Sequence, residues 1–335
     1  MEKICFLKRK NGVDSSFCVV YNIKTHDERR KALFHTVAEG GINMNTVWSD
    51  YIQGPRTLYY NRKLRFDNMF AGQYMPLFGI DPSGKADILE VGCGPGALAG
   101  ALRRWYPNAA ITALDRDSAF LDFARRHVDG VSFVEGDAKA LPFGDASFDV
   151  TVSNTVSEHI EPSAFYGEQL RVLRPGGICL VLSSRRGISV SAESVNPGEY
   201  EQAFWKRVEP FDDTMKRYSV CRYPMNEAEL PAAMERYGFS GVSTGFAVIP
   251  LTPDDPRYPP ETARDMINSE RFFQLESIES VDRTMPGRFS ADELEEMKRL
   301  TNARYDRRLE QYARGEKQWD TDVSVIMVVR GFKRA

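Results

Sequence analysis

The segment Ile88-Leu-Glu-Val-Gly-Cys-Gly-Pro-Gly-Ala97 constrains the fold of this chain more than any other. A short apolar run leads into glycines at Gly92, Gly94 and Gly96, and a helix-forming stretch follows over roughly 97–105. Glycine lets a backbone turn sharply and lets another molecule approach with no Cβ in the way. A helix that starts behind such a turn presents unpaired N–H groups to an anion. Strand, glycine turn and helix in this order are the opening of a parallel α/β sheet.

The pattern continues downstream. Buried strands are predicted at 86–91, 110–115, 131–135, 148–153 and 177–183, with helices near 97–105, 118–127 and 163–173. Strands alternating with helices imply right-handed βαβ units. Before this core, residues 4–7 and 17–23 read as a hairpin around Asn11-Gly12, 26–43 as helical, and 48–78 as helices leading into the sheet. After it come a short helix behind Asn196-Pro197, a helix at 227–237 ended by Gly238, and a strand at 239–249. Helices near 261–281 and 290–315 follow, the second opening on the capping box Ser290 to Glu293, and 322–331 is a last strand.

Charge and cysteine usage exclude several functions. The 335 residues carry 44 Lys and Arg against 47 Asp and Glu, whereas a chain that binds a nucleic-acid backbone usually shows a basic excess. No stretch reaches the ~20 apolar residues of a membrane span, and the first residues lack the apolar region of a secretory leader. Cys5, Cys18, Cys93, Cys179 and Cys221 never stand at C-x-x-C spacing, and there are four histidines, so no metal centre is expected. The expected compartment is the cytoplasm.

The glycine segment alone leaves two ligands open. Gly92, Gly94 and Ala97 also satisfy the dinucleotide pattern, and Asp115, about 20 positions on, suits either ligand because both carry a ribose diol. An NAD-dependent oxidoreductase is therefore a rival reading, and a non-catalytic scaffold on the same fold is another. Taken in order, Glu90-Val-Gly-Cys-Gly-Pro-Gly96, Leu114-Asp115, Gly136-Asp137-Ala138, Phe148-Asp149-Val150 and Leu173-Arg-Pro-Gly-Gly177 resemble class I S-adenosylmethionine-dependent methyltransferases of the small-molecule type. The likeness covers about 86–185 and extends more weakly to Glu229-Leu230 and Tyr237-Gly-Phe239.

That resemblance implies a Rossmann-like, doubly wound α/β sheet of seven strands in the order 3-2-1-4-5-7-6, the last one antiparallel. It implies S-adenosylmethionine as cofactor, with Glu90, Gly92, Cys93, Gly94 and Gly96 around its methionine portion. Asp115 would grip the ribose hydroxyls, Arg116 would flank the adenine, and Asp137 and Ala138 would read its edge. Asn154 and Thr155 would stand at the tip of strand four, beside the sulfonium and a small-molecule acceptor. Residues 1–43 are then an extension and 44–335 the methyltransferase domain. Its cofactor core spans 80–185 and the final strand is 322–331. The length of the insertions at 186–225 and 251–320 leads us to expect a helical cap over the strand ends, the alternative being a helical pair on the sheet's outer edge. His159 is the candidate general base, and Tyr51, Tyr59, Arg185 and Arg186 are candidate acceptor contacts. The plainer readings are a histidine bonded to backbone at a helix entry and a solvated arginine pair.

Overall fold

The computed structural model describes residues 48–208, 218 and 220–334, so the expected hairpin and helix within 1–43 lie outside the described residues. Helices α1 (Pro55–Arg65) and α2 (Ala71–Phe78) precede the sheet. Then follow β1 (Asp87–Val91), α3 (Ala97–Trp105), β2 (Ala110–Asp115), α4 (Ser118–His127), β3 (Ser132–Glu135) and β4 (Phe148–Asn154). Next come α5 (Pro162–Val172), β5 (Leu173–Val190), α6 (Glu199–Trp205), α7 (Glu229–Arg236) and β6 (Phe239–Leu251). The long helices α8 (Pro260–Thr284) and α9 (Ala291–Ala313) and the strand β7 (Thr321–Lys333) close the chain.

The strands form one sheet in the order β3-β2-β1-β4-β5-β7-β6. β1 pairs in parallel with β2 and β4, whereas β7 runs antiparallel between β5 and β6, as the resemblance implies. Side chains of the central strands alternate between two cores. Ile88, Val150, Val152, Leu180 and Leu182 face the first, with α2 and α3. Leu89, Val91, Cys179 and Val181 face the second, with α5 and α7. Both faces are covered, which explains why these strands read as continuous apolar runs.

β5 is longer than its sequence predicts, reaching from Leu173 to Val190 instead of 177–183. β7 pairs with it from Ile178↔Phe332 to Val190↔Thr321, and that partner carries β5 past its apolar stretch through Ser183, Arg185 and Gly187. Short-range pattern cannot signal such an extension, because the partner is more than 130 residues away in sequence.

The segment between β6 and β7 folds as the antiparallel pair α8 and α9, and α8 packs along α1. Glu276 of α8 accepts from Thr57 N at 3.1 Å, at the start of α1. α1 lies over the glycine turn: a Cβ on Gly94 would stand 3.4 Å from Leu58 Cδ2 and 3.9 Å from Arg62 Nη1. α1 thus lies between the glycine turn and the inserted helix α8. Ile278, Val281, Phe289 and Met297 of the segment between β6 and β7 form a small separate core with Phe204 of α6. Among the described residues no helix is long and apolar enough to cross a membrane, and no group of His, Cys, Asp and Glu could hold a metal ion.

Candidate active site

The glycine turn is stitched to the neighbouring strand. Gly92 N and Cys93 N both donate to Leu114 O, at 2.8 and 2.9 Å. Gly94 N donates to Asp115 Oδ2 at 2.7 Å, and Asp117 N donates to Asp115 Oδ1 at 2.9 Å. Gly92, Gly94 and Gly96 sit at φ of 70°, 54° and 85°, a region costly for residues with a Cβ. At Gly92 that Cβ would also stand 2.6 Å from Val156 Cγ2. Gly96 caps α3 without a side chain, and the Glu90 carboxyl instead bonds to the Ala99 backbone in the helix's first turn.

Around this turn the chain buries acidic and basic side chains. Glu90, 2 % exposed, lies on the β1 face shared with Ile88, and its Oε2 has no partner among the described residues. Burial pushes its carboxyl up to about 8 against the pull of Arg62, and the neighbouring Asp115 adds to the rise. Burial likewise raises Asp115 despite its two N–H bonds. Arg62 comes from α1 and is brought down to about 10 by burial and by Arg65, while Glu90, Glu158 and Asp115 hold it charged. Its Nη2 donates to Thr155 Oγ1 at 2.6 Å. The Cys93 thiol is pushed well above its ordinary value by burial and the nearby carboxylates, so it is a buried filler and not a nucleophile.

Glu90 couples this site to pH. Its folded value of about 8 exceeds the ordinary 4.5, so across that window the folded chain holds a proton that the unfolded chain has released. The contribution is present in full below pH 4.5 and is lost as pH rises through about 8. Thermal melts of the unliganded protein are expected to fall between about pH 6 and pH 8.5, and Glu90→Gln should flatten that fall. An equal drop in both proteins would contradict the assignment.

At the tip of β4, Asn154 is buried with Oδ1 unpartnered among the described residues. Thr155 holds φ 55°, a left-handed position for a β-branched residue, fixed by its N–H on Leu182 O at 2.9 Å. Its hydroxyl donates to Asn154 O at 2.7 Å. The site thus gathers Glu90, the glycine turn, Asp115, Asn154 and Thr155 at adjacent strand ends. Asp137 stands at the end of β3 with an exposed side chain whose Oδ1 accepts from Lys139 N, while Ala138 is buried and Arg116 exposed.

Three expectations need correction. His159 does not present a base: its Nδ1 accepts from Cys221 N at 3.0 Å, so the neutral ring carries its proton on Nε2. Burial lowers its proton affinity, and its ring meets Trp48 edge-on at 4.7 Å between centroids. The chain returning after β5 supplies this contact, with Tyr223 N on Glu158 O at 2.8 Å. Tyr59 packs with Ala97 and Phe123 and bonds to His127 O, because it lies on the face of α1 turned to α3 and α4. Arg185 is buried and donates to Met225 O at 2.9 Å, with Glu227 at 3.7 Å, a tie within the fold and not a free cation. Tyr51 stacks on Tyr218 at 4.8 Å, and the Arg186 side chain lies outside the described residues.

Two residues escaped sequence reasoning. Arg62 stands one turn after Leu58 on a helix, and that i, i+4 pairing of an apolar residue with a cation is the only local hint. Asp117, 1 % exposed, caps α4 and accepts from Ser49 N and Oγ, both at 3.0 Å. It thereby anchors the turn Trp48–Ile52 beside the ligand end of the sheet.

Residues 89–181 match the family model described as a methyltransferase domain. A fatty-acid O-methyltransferase of Mycolicibacterium smegmatis is 45% identical over 109 residues, 31% of this chain and 39% of that protein. A probable phthiotriol/phenolphthiotriol dimycocerosates methyltransferase 2 of Mycobacterium ulcerans is 48% identical over 101 residues, 29% of this chain and 38% of that protein. The chain thus spans about two fifths of the length of these curated relatives. Among solved structures, phosphoethanolamine N-methyltransferase 2 of Haemonchus contortus with S-adenosyl-L-methionine matches at TM-score 0.49 and 17% identity, over 89% of this chain and 62% of that one.

Proposed function

We propose that this chain, whose residues 89–181 form a class I S-adenosylmethionine-dependent methyltransferase domain, transfers a methyl group from that cofactor to a small-molecule acceptor. The observation that carries the reading is the buried set of Arg62, Glu90 and Asp115 around the glycine turn. An amino acid joined to a nucleoside carries an ammonium, a carboxylate and a ribose diol. Glu90, with its unpartnered Oε2, fits the first, Arg62 the second and Asp115 the third. A carboxylate offers about four acceptor positions, so Asp115 can take two hydroxyls beside its two N–H donors. That the curated relatives include a fatty-acid O-methyltransferase supports a small acceptor.

The bound cofactor supplies an activated methyl on a sulfonium, whose thioether leaving group needs no protonation. The protein's task is alignment and exclusion of water. Gly92 and Gly94 admit the ligand against bare backbone, and Thr155 with Arg62 fixes the strand end where the acceptor approaches. His159 is engaged by Cys221 N at Nδ1 and bonds to the Thr155 backbone, so acceptor deprotonation is not assigned to it. We take residues 44–335 as the catalytic unit, since Ser49 is bonded to Asp117 of the core.

Arg62→Met tests this reading. Losing a charge-assisted bond worth about 1.5–3 kcal/mol should weaken S-adenosylhomocysteine binding roughly tenfold to hundredfold. Arg62→Lys should recover part of it. Calorimetry on folded Arg62→Met with unchanged affinity would remove Arg62 from the site.

A further inference from the structure

We propose that Glu276 of the inserted helix α8 is a positioning residue for the cofactor site: it caps α1 from outside and so holds Arg62 where the cofactor's carboxylate meets it. This rests on the methyltransferase reading and adds a control of cofactor affinity by parts of the chain outside 89–181.

The start of α1 does not cap itself. Gly54 at its N-cap has no side chain and Pro55 follows, so the first turn presents the N–H groups of Arg56 and Thr57 with no acceptor inside the helix. Glu276 fills that role from α8, its Oε2 accepting from Thr57 N at 3.1 Å. A carboxyl suits this place because the helix dipole is positive there. Gly54 leaves room for it, since a Cβ at that position would stand 2.6 Å from Glu276 Cδ and Oε2. Phe272, one turn before Glu276, meets Arg56 at 3.7 Å from its ring centre and Tyr60 at 5.3 Å between centroids. Further along α8, Arg283 donates to Asp50 O at 2.8 Å. Positions 272, 276 and 283 share one face of a helix, so α8 grips the entry to the core along a single stripe.

This grip matters because the other end of α1 is seated against resistance. The Arg62 guanidinium loses water there and stands near Arg65, and the two effects together bring it down to about 10. Its Nη2 bonds to the Thr155 hydroxyl, but among the described residues no carboxylate stands within ion-pair distance of it. Seating α1 in the unliganded protein therefore opposes the hydration of a cation. The contacts with α8 supply the balancing force, and a bound carboxylate then matches the charge. A chain whose α1 is seated only part of the time binds with its affinity reduced by that fraction.

Calorimetry with S-adenosylhomocysteine on the full chain tests the proposal, with a thermal melt to establish that each variant is folded. Glu276→Ala is expected to weaken binding by about threefold to tenfold, and Glu276→Gln, which keeps an acceptor oxygen, to stay within about twofold of the unsubstituted chain. Gly54→Ala reaches the same contact from the other side, because its Cβ displaces the carboxyl, and should weaken binding by a similar factor. In the Arg62→Met background Glu276→Ala should add little, because its effect runs through the side chain already removed. A residue that only stabilised the fold would lower affinity by the same factor in both backgrounds. Unchanged affinity in folded Glu276→Ala and Gly54→Ala, or an equal loss in the Arg62→Met background, would overturn the proposal. If the unsubstituted chain does not bind S-adenosylhomocysteine, the methyltransferase reading falls and this proposal with it. If it binds and folded Glu276→Ala matches it, the positioning proposal alone falls.

Discussion

Asp115→Ala is expected to weaken S-adenosylhomocysteine binding by about one to two powers of ten, from the loss of charge-assisted bonds worth ~1.5–3 kcal/mol. Two effects combine. The ribose hydroxyls lose their acceptor, and the turn loses the carboxylate that holds Gly94 N at 2.7 Å and Asp117 N at 2.9 Å. Asp115→Asn keeps one acceptor oxygen and should fall between the two. Calorimetry reports the affinity, and a thermal melt verifies that the variant is folded. Unchanged affinity in folded Asp115→Ala would withdraw the ribose assignment.

The second large effect concerns the cap. Arg308 of α9 is 0 % exposed and paired with Asp254 and Asp320, so it ties the inserted helices to the end of β6 and the start of β7. Asp254 also accepts from Gln318 N and Trp319 N at 2.7 and 2.9 Å. Arg308→Met leaves the buried Asp254 and the partly exposed Asp320 uncompensated, a change that costs about 3–5 kcal/mol. Denaturant unfolding should register that loss, and adding Asp254→Asn and Asp320→Asn should recover part of it. A loss below about 1 kcal/mol would mean that the network does not hold the insertion in place.

The core was readable because its signals are local. Helices α3 and α4 begin and end where apolar spacing and the flanking glycine and aspartate place them, and the seven-strand order follows from the resemblance. The glycines at 92, 94 and 96 announce their own geometry, since left-handed backbone favours glycine. What stayed hidden depends on distant partners. Arg62 gains its role only when α1 lies on the turn, and Asp117 only when Ser49 returns to it. His159 is a plausible base until Cys221, 62 residues later, donates to its Nδ1. Arg185 looks like a ligand for anions until Met225 and Glu227 fold over it. Aromatic density likewise misled at Tyr59, because hydrophobic packing and acceptor binding recruit the same side chains.

The central claim is that the buried groups around Gly92–Gly96 bind S-adenosylmethionine and present its methyl to an acceptor. A calorimetric titration of the full chain with S-adenosylhomocysteine, run beside an identical titration with NADH, tests it most directly, because the glycine pattern alone admits either ligand. The account predicts one-to-one binding of S-adenosylhomocysteine, weakened in Arg62→Met and Asp115→Ala, and no measurable heat from NADH. Binding of NADH with none of S-adenosylhomocysteine would contradict it.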